Sequence, residues 1–191
     1  MPRYEFVRKI QFLLGKLVII VLGIGLIIAA RFTKPKMMLF QSQFHNIELQ
    51  YPEGWSVQDS AEELSLQHSD KNIDAGITIM SNPPKYMEED LLYSLESFIE
   101  SELLPDVKEI LTMDHPIRNF EFNDYEAVQG QMVADVAKNK ETSYALKFEI
   151  ILAQHEDNRV LIVVYWRGGT ETIHKDVARD VDRILSTIRF R

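Results

Sequence analysis

The sequence contains no cysteine among its 191 residues. This absence excludes disulfide bonds, thiolate metal sites, cysteine nucleophiles and a lipoprotein anchor on a lipidated cysteine. No G-x-S-x-G pattern marks a serine nucleophile. The histidines form no pair at metal-ligand spacing, since they occur singly at His45, His68, His115, His155 and His174. We therefore predict no catalytic residue, no bound metal and no cofactor. An enzyme remains the alternative in which a site is assembled only by the fold.

Basic residues are scarce after position 36. Residues 37–191 hold 14 lysines and arginines against 28 aspartates and glutamates, a formal charge of −14, compared with −8 for the whole chain. Nucleic acids and anionic lipid head groups require a positive surface, so this part of the chain is predicted to bind neither. A cationic partner or a metal ion is compatible with this charge, and so is a purely solubilising surface.

Polar side chains are absent from residues 17–30, LVIIVLGIGLIIAA. A membrane-spanning helix requires about 20 apolar residues, and these fourteen cover only about 21 Å at the rise of an α-helix. Extension back to Phe12 makes the segment long enough, because the one charge inside it, on Lys16, can reach the interface along its flexible stem. The predicted membrane-spanning residues are Phe12, Leu13, Leu14, Leu17, Val18, Ile19, Ile20, Val21, Leu22, Ile24, Leu26, Ile27, Ile28, Ala29 and Ala30.

Basic residues flank this segment on both sides, four in residues 1–16 and three in residues 31–36. The difference is too small to fix the orientation by the positive-inside rule. We expect residues 1–36 to be a basic flank and an uncleaved anchor, with the large domain on the extracytoplasmic side, periplasmic or at the cell surface. A cleaved signal peptide is one alternative, although residues 28–30 match the small-residue cleavage pattern poorly. A segment of a soluble core is the other.

Residues 37–43 are predicted to be a connector and residues 44–191 a single domain. Alternating or continuous apolar runs predict strands near residues 44–51, 55–58, 63–68, 75–80, 107–113, 117–122, 125–135, 141–154 and 159–166. The last run is apolar on both faces, which is typical of a central strand. Helical spacing predicts two amphipathic helices, over residues 87–104 and 170–188. The predicted class is α+β, a mainly antiparallel sheet flanked by two helices and preceded by one transmembrane helix.

Three short patterns resemble binding elements. The D-x-N-x-D pattern at residues 70–74 lacks the glycine and the closing glutamate of a calcium loop, so we interpret it as a hairpin turn. The G-G-T pattern at residues 168–170 lacks a phosphate-binding lysine, so we interpret it as the start of a helix. Tyr165, Trp166 and Arg167 are candidates for a ligand-binding groove, and core packing is the alternative.

The first predicted strand ends in Tyr51-Pro52-x-Gly54-Trp55, after the membrane-targeting segment. This opening, the central helix, the long strands and a closing helix that ends in STIRF resemble PsbP-like domains and the related DcrB-like bacterial proteins. The resemblance covers roughly residues 42–190 and implies an α/β/α sandwich with a non-enzymatic role. PsbP proteins are extrinsic subunits and assembly factors of photosystem II, so it also implies a photosystem-related role in a photosynthetic host. We interpret the four motif residues as structural.

Together these patterns predict a membrane-anchored, non-enzymatic accessory or interaction domain for an envelope or membrane complex. Its expected partners are the lipid bilayer and a membrane protein, with no nucleic acid. An extracytoplasmic domain that binds a small ligand or a cation is the alternative from a different class.

Overall fold

The computed structural model describes residues 35–70, 72–83, 90–103, 107–137, 143–167 and 171–191. The predicted span from Phe12 to Ala30 lies outside the described residues. Within the described ranges, no helix is both long enough and apolar enough to cross a membrane. The fold presented below is that of Met37–Arg191.

Ten strands and two helices make up the described part of this fold. The strands are β1 (Met37–Gln41), β2 (Ile47–Pro52), β3 (Trp55–Asp59), β4 (Leu64–His68), β5 (Ala75–Ser81), β6 (Val107–Phe122), β7 (Tyr125–Ala137), β8 (Ser143–His155), β9 (Asn158–Arg167) and β10 (Arg189–Phe190). Helix α1 is Leu91–Phe98, continued by a π-helical turn at Ile99–Leu103, and helix α2 is Glu171–Thr187.

The strands form two antiparallel sheets. The larger has the order β3-β4-β5-β9-β8-β7-β6, and the smaller has the order β1-β2-β10. Each strand pair of the described residues runs antiparallel, from β1–β2 to β8–β9. The structure thus confirms the predicted α+β class with a mainly antiparallel sheet.

Strand β9 is the middle strand of the larger sheet, as its run of apolar residues on both faces predicted. Its alternate side chains enter two separate cores. On the first face the buried residues include Ile77, Ile79, Ile151, Ala153, Val160, Ile162, Val164 and Trp166. On the second face they include Val128, Met132, Ala134, Leu146, Phe148, Ile150, Leu152, Leu161 and Val163. A sheet with two apolar faces must be covered on both sides.

One helix packs on each face of this sheet. Helix α2 covers the first face with Val177, Val181, Ile184 and Leu185, followed by Ile188 just after its end, and Ile47 and Leu49 of β2 join the same core. Helix α1 covers the second face with Leu91, Leu95 and Phe98. The result is the α/β/α sandwich that the resemblance implied.

The first strand corrects the prediction of a connector at residues 37–43. Met37–Gln41 pairs along its full length with β2, from Met37 opposite Pro52 to Gln41 opposite Glu48. Apolar and polar residues do not alternate in the run MMLFQ, and buried and exposed side chains do not alternate there either. The reason is that β1 is an edge strand whose side chains are partly buried and partly exposed. The folded domain therefore begins before residue 44.

Two further boundaries differ from the prediction. The segments expected at residues 107–113 and 117–122 form the single strand β6, whose register shifts several times against β7. Pro116 does not interrupt it, because β6 is an edge strand of the sheet, where proline is tolerated. Helix α1 begins at Leu91, since the Asp90 side chain caps it by accepting from the Tyr93 N–H at 3.0 Å. Residues 84–89, which include the predicted first turn, lie outside the described residues.

Two tight hairpins lie at the same end of the larger sheet. Asn123 and Asp124 join β6 to β7 with φ of 51° and 71°, a conformation that asparagine and aspartate adopt more readily than most residues. Glu156 begins the β8–β9 turn at φ 54°. Because Glu126 pairs with Gln154, the two hairpin tips are neighbours.

Candidate binding cleft

A cavity of about 110 Å³ lies at this hairpin end of the sheet. Four parts of the chain build it: the loop between β1 and β2, the end of β5, the β8–β9 hairpin and residues 190–191. The lining residues, here called the cleft, are Phe44, His45, Asn46, Ser81, Asn82, His155, Asn158, Val160, Phe190 and Arg191.

Asn82 holds the end of β5 to the start of β9. Its backbone N–H donates to the Arg159 carbonyl at 2.7 Å, and its side-chain carbonyl accepts from the Arg159 N–H at 2.9 Å. Its amide Nδ2 donates to Asn158 Oδ1 at 3.0 Å. Asn82 adopts φ 49°, in the left-handed region that asparagine tolerates. These bonds fix two walls of the cleft relative to each other.

His45 is the most deeply buried histidine of the cleft, with only 6% of its surface exposed. Its Nε2 lies 2.8 Å from the Ser60 carbonyl oxygen. A carbonyl can only accept, so Nε2 carries the proton, and Nδ1 of the neutral ring is left with a lone pair. Among the described residues, none donates to this Nδ1, but the atom is not enclosed: in the described part of the chain, Trp55 Nε1 is the fully buried side-chain nitrogen that lacks a partner. The Ser42 hydroxyl accepts from the His45 N–H, and the Ser81 hydroxyl donates to the His45 carbonyl.

Aromatic rings form one side of the cleft. The Tyr125 ring contacts His155 edge-on at 4.8 Å between centroids and Phe190 at 4.4 Å. At the lip, Phe44 leaves 56% of its surface exposed. A single exposed apolar side chain is ordinary on a protein surface, so Phe44 is of interest only because it lines the cavity.

Carboxylates follow or precede the residues of the cleft along the chain. Asp124, Glu156 and Asp157 occupy the two hairpin tips, and Glu62 and Glu63 follow Ser60, the partner of His45. We call these five residues the acidic rim. The guanidinium of Arg191, which lines the cleft, is paired with Glu48. The segments next to the cleft are thus acidic, whereas the cavity itself is lined mainly by neutral polar and apolar groups.

The four motif residues lie at the other end of β2. Pro52 is the last residue of β2, opposite Met37 and next to Tyr51, and Gly54 turns the chain at φ 108°, a conformation that side chains rarely adopt. Trp55 is buried in the first core with its ring edge-on to His68 at 5.6 Å. Its indole nitrogen has no hydrogen-bond partner in the part of the chain that the structure describes. These placements suit the structural interpretation of the motif.

The three groove candidates lie at the far end of β9 from the cleft. Trp166 is buried in the first core, with the Lys147 ammonium 5.3 Å from its ring centroid. Tyr165 lies on the opposite face, across from Gly76, and Arg167 is exposed. The structure therefore does not bring them to the cavity, and a groove around them stays a prediction.

The D-x-N-x-D pattern forms a turn, as interpreted from the sequence. Asp70 accepts from the backbone and side-chain nitrogens of Asn72 at 2.9 and 3.0 Å, which closes a local turn. Residues 168–170 lie outside the described residues. Within the described ranges, no group of three histidine, aspartate or glutamate side chains is arranged to hold a metal ion.

A row of polar side chains crosses β6, β7 and β8 on the first face of the sheet. Arg118 donates to Gln129 Oε1 at 2.9 and 3.2 Å, and the Gln129 amide donates to Glu149. Burial raises the pKa of Glu149 above its usual value, and the charge of Asp182 on α2 adds to this rise, while the Gln129 bond opposes it.

Glu149→Gln is expected to make the folded chain more stable at neutral pH. A carboxyl whose folded-state pKa is raised stabilises the fold fully below about pH 4.5, its unfolded value, and this contribution is lost as pH rises through the folded-state pKa. The advantage of the amide over wild type should therefore grow as the pH rises from about 4.5 to neutral. Urea unfolding of the full chain in an uncharged detergent measures this difference in the free energy of unfolding between the variant and wild type. Glu53→Gln, which removes an exposed charge, is the matched control. If the stability of both variants depended on pH in the same way, the raised pKa of Glu149 would be contradicted.

Solved structures share this fold at low sequence identity. No protein-family model matches the sequence, and no curated protein matches it. The Ran-binding protein Mog1p of Saccharomyces cerevisiae matches at a TM-score of 0.51 with 10% identity, over 82% of this chain and 96% of its own. The cyanobacterial PsbP of Synechocystis matches at a TM-score of 0.50 with 12% identity, over 84% and 95%. The chain therefore has a PsbP-like fold.

One matched protein is much longer. A structure from Bacteroides thetaiotaomicron matches over 83% of this chain, which spans only 49% of the Bacteroides chain, with 9% identity and a TM-score of 0.48. At these identities the likeness concerns the fold alone.

Sequence patterns did not indicate the cleft. His45 precedes strand β2 in a stretch without a recognisable motif, and His155 stands beside Glu156 and Asp157 in a context typical of a solvated loop. Their partners come from the end of β5 and from the last residues of the chain. Phe44 precedes β2 and lies outside the alternation of Ile47, Leu49 and Tyr51, a signal that could have indicated its exposure.

Proposed function

We propose that this chain is a membrane-anchored, non-enzymatic interaction domain that binds a protein partner of a membrane or envelope complex through the cleft. The single observation that carries the proposal is the cleft itself, a cavity lined by a largely buried histidine, with an exposed phenylalanine at its lip. Binding sites for protein partners commonly combine one pocket with an apolar anchor and a polar rim.

Two further arguments support the proposal. The apolar segment of residues 17–30 and its basic flanks give a physical reason for a membrane anchor. An extracytoplasmic location of the domain is part of the proposal and does not follow from the charges of the flanks. Mog1p, which shares the fold, is a Ran-binding protein, so a sandwich of this kind is compatible with protein binding. A fold hosts many functions, and the cleft is therefore the stronger argument.

Co-purification from detergent-solubilised membranes tests the proposal. The tagged full chain is expected to retain a partner reproducibly, and Phe44→Ser should reduce its recovery roughly tenfold, because one anchoring aromatic residue often carries over about 1 kcal/mol of binding free energy. Tyr93→Ser, which alters an aromatic residue 53% exposed on α1, is the matched control. Equal recovery with both variants and with residues 1–36 alone would contradict the proposal.

A further inference from the structure

We propose that the cleft binds a basic protein segment that inserts one aromatic side chain ending in a hydrogen-bond donor, such as tyrosine. This inference rests on the proposed function, and it names the chemistry of the partner. Four features of the cleft carry it: the histidine acceptor, the apolar walls, the mainly neutral interior and the acidic rim.

The histidine acceptor indicates the tip of the inserted group. His45 lines the cavity, and its Nδ1 lone pair has no donor in the described part of the chain. This nitrogen is not an enclosed atom, so water can bond to it until a donor of the occupant takes that place. An occupant that ends in O–H or N–H replaces the bond to water, whereas a purely aliphatic occupant does not.

The walls determine the body of the inserted group. Phe44, Phe190 and Val160 give the cavity apolar surface, and the Tyr125, His155 and Phe190 rings contact one another along one side. A cavity of about 110 Å³ is somewhat smaller than one that encloses a benzene ring, so an aromatic ring would enter it from the open side. Ring edges and faces pack favourably against such a wall.

The charges in and around the cleft indicate a neutral inserted group with basic residues on either side of it. Arg191 lines the cavity, and although Glu48 pairs with it, a second cation inside would be opposed. Outside, Asp124, Glu156 and Asp157 lie at the hairpin tips, on a domain of formal charge −14. The anchor is therefore neutral, and the residues that flank it are lysine and arginine, which such a rim attracts.

The rim has a second consequence for the occupant. Anionic membrane head groups and acidic proteins are repelled by the same carboxylates, so the cleft selects between partners by charge as well as by fit. Because electrostatic attraction at an exposed rim is screened by salt, binding of the basic segment should weaken as ionic strength rises.

Peptide titration tests the inference with the full chain in micelles of an uncharged detergent. The probe is a fluorescently labelled peptide of sequence Lys-Arg-Tyr-Arg-Lys, followed by anisotropy. An alanine-centred version should bind roughly tenfold more weakly, and a version with glutamate and aspartate in place of the basic residues should show no measurable binding. Phe44→Ser should weaken the tyrosine peptide roughly tenfold and leave the alanine-centred peptide unchanged.

Matched charge variants distinguish the effect of the acidic rim on binding from the effect of the net charge of the domain. The triple variant Asp124→Asn, Glu156→Gln, Asp157→Asn should weaken the tyrosine peptide roughly tenfold at low salt and flatten its salt dependence. The control triple Glu53→Gln, Glu96→Gln, Glu100→Gln removes the same charge elsewhere and should change affinity less than about twofold.

The outcomes distinguish the inference from the function on which it rests. Equal binding of the tyrosine and alanine peptides, equal effects of the two triple variants, or no binding of any basic peptide would each overturn the inference. If recovery of the native partner still depended on Phe44 in that case, the proposed function would stand with a partner of different chemistry. If recovery were also independent of Phe44, both would be wrong.

Discussion

Gly76→Ala should lower the free energy of unfolding by about 2 kcal/mol, and the melting temperature by roughly 5 °C. Gly76 lies in β5 directly opposite Tyr165 of the central strand β9. A Cβ atom at Gly76 would lie 2.5 Å from the Tyr165 hydroxyl oxygen and 2.6 and 2.7 Å from two of its ring carbons. The ring would have to leave its place against the second core, where it packs as a partly buried residue.

Gly130→Ala is the matched control for this prediction. Gly130 is also a buried glycine in an inner strand, but its added Cβ would meet Ile99 at 3.4 Å and Ile117 at 3.5 Å, which are ordinary contacts. We expect the free energy of unfolding to change by less than about 0.5 kcal/mol, because alanine loses less backbone entropy on folding than glycine does and its methyl group fills space.

A double-mutant cycle identifies the cause of the Gly76 effect. In a Tyr165→Ala background the clashing ring is absent, so Gly76→Ala should lower the free energy of unfolding much less than it does in the wild-type background. Thermal unfolding of the full chain in an uncharged detergent gives all four values. An unchanged melting temperature for Gly76→Ala, or a cost independent of Tyr165, would show that β5 and β9 are not paired in this register.

The double variant Val21→Arg, Ile24→Arg should move the chain from the membrane fraction to the supernatant. Each arginine at the centre of a membrane-spanning helix costs roughly 2.5–3.5 kcal/mol on the insertion scale, so the pair is enough to prevent insertion of this short segment. The measurement is the fraction of chain that remains in carbonate-washed membranes, expected to fall from nearly all to a small minority.

Gln11→Arg with Thr33→Arg adds the same charge to the basic flanks and should leave the membrane fraction unchanged, because interfacial cations are tolerated. N-terminal sequencing of the membrane-bound chain distinguishes the anchor from a cleaved signal peptide. A first residue near Arg31 would contradict the anchor, and protease added to sealed, right-side-out vesicles should digest the large domain if it is extracytoplasmic.

The central layers of the fold could be predicted from local patterns. The run around Ile162 and Val164 is apolar on both faces, which is typical of a central strand. The stripe of Val177, Val181 and Ile184 follows the helical period, which requires a sheet face to cover it. These signals depend on burial that repeats along one segment, so a single segment is enough to reveal them.

The remaining features depend on contacts between distant segments. Strand β1 was not predicted because an edge strand with mixed burial shows no alternation. The cleft was not predicted because His45, Asn82 and Phe190 come from separate parts of the chain and meet only when the two sheets are assembled. Local patterns show which face a residue prefers, but they do not show which residues meet at the end of a sheet.

Site-specific photo-crosslinking in intact membranes tests the central claim most directly, that a membrane-anchored domain binds a protein through the cleft. Phe44 is replaced by the photoreactive analogue benzoylphenylalanine in the full chain, and Tyr93 is replaced in the same way as a control at similar exposure, 56% and 53%. We predict one discrete crosslinked species from position 44, lost when the three hairpin-tip carboxylates are neutralised, and none from position 93. Identical patterns from the two positions, or no crosslink from position 44 in membranes that retain the chain, would contradict the claim.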